Sequence, residues 1–386
     1  MQPKDLLFIL LRSALSGNLL KESEKEAVAS ALSEDTTRSL FTLSKKNDIA
    51  PLIAQAFEQN GFAVDALFEK EKLYALFRYE NMVHELSAIK STLSQEGIHF
   101  MPLKGAVLRR LYHEPYLRTS CDIDLLVKEK DLKAATDALV STLSYKQSGD
   151  RNFHDISLYS AGGVHLELHH NILENIPALD RTLGLVWEHS APIASESDEY
   201  AQSPAFLVFH IVAHMAYHFI CGGCGIRPFA DLYLLKKEHS YNDQELHELL
   251  KASSLLAFFD YACALCAVWF EGASHTKQTE RMEAYLLEGG AYGSLKNSIA
   301  AKHKKSGKIR FILSRLFVSS DYLANLYPVL RRHKWLYPFM LVRRWVRLLF
   351  GGKLKNSVKE VQASQKISRA DAERVTSLLN DIGLSL

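Results

Sequence analysis

Asp122 and Asp124 bracket one isoleucine at the head of an apolar run, Asp122-Ile123-Asp124-Leu125-Leu126-Val127. In a strand, alternate side chains face the same way, so both carboxylates share one face while Ile123, Leu125 and Val127 enter a core. Carboxylates forced together repel, and one takes up a proton unless cations intervene. Hard divalent ions with oxygen ligands, Mg²⁺ above all, suit that place. Further along, Gly163-Val164-His165-Leu166-Glu167-Leu168-His169-His170 carries another acid in a strand-like pattern. If Glu167 lies on an adjacent strand, three carboxylates can clamp two metal ions, the geometry used for in-line phosphoryl or nucleotidyl displacement.

Upstream stands Leu103-Lys104-Gly105, opening a short helical segment, and the aspartates are approached through Arg118-Thr119-Ser120-Cys121. With Leu166-Glu167-Leu168-His169 these motifs resemble the bacterial uncharacterised nucleotidyltransferase family, within the superfamily of DNA polymerase beta type. The similarity runs from about Ile49 over most of the chain. It implies two Mg²⁺, with Mn²⁺ as a substitute, on Asp122, Asp124 and Glu167. The third carboxylate would also help deprotonate an attacking hydroxyl. It implies an NTP substrate such as ATP. The superfamily usually places Gly-Gly or Gly-Ser ahead of the aspartates to hold the triphosphate. Here Ala106 follows Gly105 and the gap to Asp122 is slightly long, so Lys104, Gly105 and Arg118 are the substitute phosphate contacts, with His169 beside them.

Composition frames what must position these groups. The chain has 386 residues, 47% apolar and 23% charged, a globular composition that predicts two or three structural units with ample core. Five cysteines, an odd number mostly in apolar sequence, point to a reducing, cytoplasmic setting. No secretory leader is visible at residues 1–15, and no apolar run reaches the roughly 20 residues a transmembrane helix needs. The net charge of +2 hides an asymmetry: residues 302–355 hold 14 Lys and Arg against Asp321 alone, leaving the remainder at −11.

Hydrophobic spacing of three and four predicts helices over 5–15, 23–32, 36–46, 50–60 and 72–96. From residue 98 the period changes. Strands are expected over 98–102, 122–127, 153–159 and 164–169, with a hairpin turn at Ala161-Gly162-Gly163 and helices over 105–112 and 129–144. Helices return over 204–219, 228–237, 243–270 (broken near Ala252) and 276–287, then 308–317, 320–327, 337–349 and 369–382, with a joint at Gly351-Gly352. The expected fold is α+β: a small mixed β-sheet nucleotidyltransferase core at 96–195, flanked by N-terminal (1–95) and C-terminal (196–386) helical regions.

Other residues carry weaker signals. His165 and His169 share Glu167's face; they could ligate a transition metal, but suit hydrogen-bond or phosphate contacts better. His210, His214 and His218 step by four along one helix, either facing the cleft or packed inside. Arg227 and Asp231, four apart, can pair along their helix. Cys221/Cys224 and Cys263/Cys266 have zinc-like local spacing, but the pairs lie too far apart in sequence, and the second sits in an apolar helix where small thiols pack. The basic segment mixes aromatics with Arg343, Arg344 and Arg347, the composition of an interfacial helix, of a nucleic-acid surface, or of a helix set against the acidic body.

The residues thus favour a nucleotidyltransferase that moves NMP from an NTP to a hydroxyl on an acceptor (a small molecule, a peptide or a glycan precursor) and releases pyrophosphate. The rivals are a non-catalytic nucleotide- or membrane-binding module retaining the fold, its basic segment meeting an anionic surface, and a metal-dependent hydrolase using the histidines.

Overall fold

The computed structural model describes residues 1–291, 293–303, 317–350 and 368–385. The expected helix over 308–317, except its last residue, and the joint at Gly351-Gly352 lie outside them. The chain begins with α1 (Pro3–Ser16), α2 (Glu22–Ala31), α3 (Glu34–Lys46), α4 (Ala50–Gln59) and the long α5 (Ala66–Gln95). Ser33 and Asp65 cap α3 and α5, accepting from backbone N–H groups of Thr36 and Leu67.

Five strands then form one sheet: β1 (Phe100–Pro102), β2 (Asp122–Val127), β3 (Lys146–Gln147), β4 (Asp155–Tyr159) and β5 (His165–His169), in the order β1-β2-β5-β4-β3. β2 and β5 are parallel and every other pair is antiparallel, so the sheet is mixed. The fold is α+β. Short α6 (Gly105–Leu108) follows β1, and α7 (Leu132–Leu143) joins β2 to β3. The helix expected over 105–112 stops early, passing through a 3₁₀ turn at Arg109–Leu111 into extended backbone at Tyr112. That turn lets the Tyr112 hydroxyl reach Asp231, 2.8 Å away.

One sheet face is apolar. Ile123, Leu125, Val127, Leu166 and Leu168 pack with Met82, Ile89 and Leu93 of α5 and with Leu132, Ala135 and Leu139 of α7. The pleat therefore turns Asp122, Asp124 and Glu167 the other way.

Beyond the sheet come α8 (Pro177–Leu183), a small hairpin of β6 (Ser190–Pro192) and β7 (Tyr200–Gln202), α9 (Pro204–Ile220), α10 (Arg227–Glu238), α11 (Asp243–Ala252), α12 (Leu256–Cys266), α13 (Lys277–Gly289) and α14 (Leu295–His303). The stretch expected as one interrupted helix over 243–270 divides at Ser253 and Ser254 and ends in a π-helical turn, Ala267–Glu271. Last among the described residues are α15 (Ser320–Leu326), α16 (Val329–Arg332), α17 (Tyr337–Phe350) and α18 (Arg369–Asp381). Helices from both ends of the chain share one core: Leu6, Leu10, Ile53 and Phe57 belong to the same apolar cluster as Phe206, Phe229, Phe258 and Trp269.

Candidate active site

Asp124 and Glu167 are direct partners in the parallel register of β2 and β5, and Asp122 is opposite His165. Ligand atoms of Asp124, Glu167 and His169 lie within 4.8 Å of one another, as do those of Asp122, His165 and Glu167. Glu167 is common to both groups. Among the described residues, the buried Nε2 of His165 has no hydrogen-bond partner. With Asp122 and Glu167 beside it, that imidazole makes a donor set that fits a divalent cation, oxygen-rich enough for Mg²⁺ and with nitrogen enough for Mn²⁺.

Two cations of the protein already stand at this cluster. The Lys104 ammonium donates to Asp124 Oδ1 at 2.9 Å, and His169 Nε2 donates to the same oxygen at 2.9 Å. Burial opposes ionisation of Asp124, but Lys104 and His169 outweigh it and hold the carboxyl well below the usual range. Burial likewise opposes the His169 charge, yet hydrogen bonds to Asp124 and Glu167 raise the imidazole to about 9. Glu167 is lowered by His169. Asp122 alone moves up, through burial and then the charges of Asp124 and Glu167. Repulsion among the three acids is therefore relieved at Asp124 by Lys104 and His169, without requiring a metal, and persists at Asp122.

Local backbone geometry aims these groups. Lys104 has φ +42°, a conformation that costs a non-glycine residue on the order of 1–3 kcal/mol. It is imposed from both sides. Leu103 N–H donates to Asp124 O at 3.0 Å, and Lys104 O accepts from Leu108 N–H at 2.8 Å. At Gly105 a Cβ would come within 2.7 Å of Arg118 Nη1 and 3.0 Å of Ser120 Oγ. The missing side chain thus lets the segment before β2 pass close by. Ser120 in turn donates to Asp122 Oδ1 at 3.1 Å.

Arg118, expected at the phosphates, has another partner. It is 8% exposed and grips Asp231 of α10 through Nε at 3.2 Å and a terminal nitrogen at 2.8 Å. Burial works against its charge, and Asp231 more than offsets this, raising the guanidinium above its ordinary value. The helical pairing of Arg227 with Asp231 is not what forms. Arg227 instead donates to Asp48 Oδ2 at 2.6 Å and to Thr119 O at 3.1 Å. Asp48, Glu174 and His154 escaped the sequence reading because each stands outside any recognisable spacing.

The carboxylates open into a cleft of about 380 Å³ that is also lined by Lys104 and Glu174, by His214 and His218 of α9 and by Arg227 at the start of α10. His210, His214 and His218 all line the cleft; His210 is buried and bonded to Gln202, and the rings of His214 and His218 stand with centroids 4.4 Å apart. Glu174 Oε1 accepts from His214 Nδ1 at 2.6 Å. Burial raises Glu174 and lowers His214 and His218, so both imidazoles are neutral. His154 stacks on His169 with centroids 5.4 Å apart. Cys224 lines the cleft, but its buried thiol, like that of Cys266, is engaged, the two donating to the carbonyls of Gly225 and Phe229, and burial pushes Cys224 up to about 12.

No curated protein matches the chain. A family model described as uncharacterised nucleotidyltransferase matches residues 33–271, more than half of the 386, a span that takes in the sheet, its three carboxylates and helices α9 and α10. The chain belongs to the uncharacterised nucleotidyltransferase family.

Proposed function

We propose that the protein is an enzyme that transfers NMP from an NTP, such as ATP, to a hydroxyl of an acceptor and releases pyrophosphate. The observation that carries this reading is the register pairing of Asp124 with Glu167 on the polar sheet face, beside Asp122 and above a cleft large enough for a nucleotide. Asp122, Asp124 and Glu167 would hold two divalent cations, Mg²⁺ or in its place Mn²⁺, with His165 beside Asp122 and Glu167. Bound there, the ions would neutralise charge on the triphosphate and on the attacking oxygen.

The chain's own residues supply the rest. Lys104, fixed by its backbone turn, sets an ammonium at the edge of the carboxylate cluster where phosphate oxygens arrive. His169 donates to Asp124 and Glu167 and so keeps both ionised and oriented. Glu167, held low by His169, takes the proton of the acceptor hydroxyl. The oxygen then bonds to the α-phosphorus, the bond from that phosphorus to the bridging oxygen breaks, and pyrophosphate leaves. Arg118 and Gly105 act one step back, as the strut and the close-packing point that place Lys104 and Ser120. The α9 wall, with neutral His214 and His218, receives the acceptor. We also propose a cytoplasmic location, since five cysteines, an odd number set mostly in apolar sequence, suit a reducing compartment.

Incubation with each α-labelled NTP, Mg²⁺ and cell extract tests the reading. Label transferred to an acceptor by the wild type and lost in Asp124→Asn supports it; label found only in free NMP, equally in both proteins, contradicts it.

A further inference from the structure

The 3₁₀ turn Lys334–Leu336 runs into α17, and together they present two apolar faces. The inner face packs into a small core of its own: Leu341 is buried against Leu323 and Leu330, with Leu336, Met340 and Trp345 around them. The outer face stays in water. Trp335 is 68% exposed, Phe339 62%, Val342 52% and Val346 47%. Their steps of four, three and four place all four on one line along the helix. Isolated exposed apolar residues need no explanation, but an aligned stripe of four large ones marks a contact surface.

The surroundings of the stripe select the partner. Exposed Arg332 and Lys334 lie at its start and exposed Arg343 beside its middle, and the sequence holds no Asp or Glu from 322 to 355. The stretch 302–355 is strongly basic while the remainder of the chain carries −11, so a negatively charged plane attracts this end and repels the rest. Tryptophan and phenylalanine are side chains that settle at the headgroup level of a bilayer, and Lys and Arg beside them meet anionic headgroups. No helix among the described residues is long and apolar enough to cross a membrane, so this helix would lie along the surface. The unit joins the catalytic half directly: Arg331 pairs with Glu129 at 2.8 Å, and Tyr322 stacks on Phe153, next in sequence to the cleft residue His154.

We propose that Trp335, Phe339, Val342 and Val346, rimmed by Arg332, Lys334 and Arg343, dock the protein onto an anionic lipid surface. The inference is independent of the catalytic reading and stands whether or not nucleotide is turned over.

Flotation of the full-length protein with vesicles, in the absence of nucleotide, tests it. Vesicles of phosphatidylcholine containing phosphatidylserine should carry the protein upward, and phosphatidylcholine alone should not. Binding should fall as salt rises and be accompanied by a blue shift of tryptophan emission. Phe339→Ser/Val342→Ser/Val346→Ser, altered only at exposed positions, should bind at least about tenfold more weakly with an unchanged circular dichroism spectrum. Arg332→Glu/Lys334→Glu/Arg343→Glu, which leaves the stripe intact, should lose the preference for phosphatidylserine. Wild-type protein that does not float with anionic vesicles overturns the proposal, as does undiminished binding by the serine variant. A concentration-dependent dimer that the serine variant abolishes, without flotation, overturns it in favour of a second copy of the chain.

Discussion

Asp124 and Glu167 meet side by side across the only parallel strand pair of the five-stranded sheet, with His169 bridging them at 2.9 and 3.5 Å. An imidazolium thus occupies the position between two carboxylates that a metal ion would share. Protein cations and divalent cations compete for the same oxygens, and the consequences can be measured.

Lys104→Ala removes one competitor for Asp124 and, on the proposed function, one phosphate contact at once. Nucleotide should bind about 10- to 100-fold more weakly, since a buried charge-assisted hydrogen bond contributes roughly 1.5–3 kcal/mol. Mn²⁺ without nucleotide should bind at least as tightly as to the wild type. Calorimetric titrations with Mn²⁺ and with Mg-ATP separate the two effects. Weakening of both to the same degree would assign Lys104 a purely structural role.

Arg118 and Asp231 form a buried pair whose members depend on each other. Arg118→Met should cost about 3–5 kcal/mol by leaving Asp231 uncompensated. Arg118→Met/Asp231→Leu should recover much of that loss. Urea unfolding of both variants reads the difference, and a double variant as unstable as the single one would show that the pair is not the source.

Gly105→Ala places a methyl group 2.7 Å from Arg118 Nη1, and Asp231 prevents that guanidinium from swinging aside. A loss of about 1–3 kcal/mol is expected, together with weaker nucleotide binding because Lys104 moves with its neighbour. Thermal unfolding and a nucleotide titration check both parts. An alanine variant identical to the wild type would mean that the approach of residues 118–120 is not tight.

Stability of the metal-free protein should peak near pH 6.5–7. Burial, reinforced by Arg151 at His170 and by His214 at His218, lowers both imidazoles to about 3, against about 6.5 in the unfolded chain. The folded state then binds fewer protons, so their contribution is complete above 6.5 and is lost as pH falls below it, by up to about 1.4 kcal/mol per group at pH 5.5. His169 has the opposite sign. Raised to about 9, it contributes fully below 6.5, and that contribution is lost as pH rises through 9. Urea midpoints at pH 5.5, 6.8 and 8.5 trace both limbs, and His218→Asn should flatten the acid one. A midpoint that rises steadily from pH 5.5 to 8.5 would contradict these assignments.

The two strands that bear the carboxylates were legible because they are short, apolar on one side and acidic on the other. Period-two alternation set Asp122 and Asp124 together on one face of Asp122–Val127 and Glu167 on the polar face of His165–His169, while the parallel pairing that joins the two faces came from the fold. Steps of four along α9 similarly marked the histidine wall. What could not be read depends on contacts between distant segments. Arg118 meets Asp231 across 113 positions and Arg227 meets Asp48 across 179, and local spacing suggested only the pairing of Arg227 with Asp231. Glu174 gave no signal, being one acid in a loop until α9 folds over it. The edge strand Lys146–Gln147 is exposed and polar on both faces, so it shows no alternation to detect.

The proposed activity requires the carboxylate cluster to take up divalent metal together with nucleotide. Calorimetric titration of Mg-ATP into the wild type and into Asp122→Ala/Asp124→Ala addresses this most directly. Saturable binding by the wild type, dependent on Mg²⁺ and absent from the double variant, is the predicted result. Equal affinity of the two proteins for Mg-ATP would contradict it.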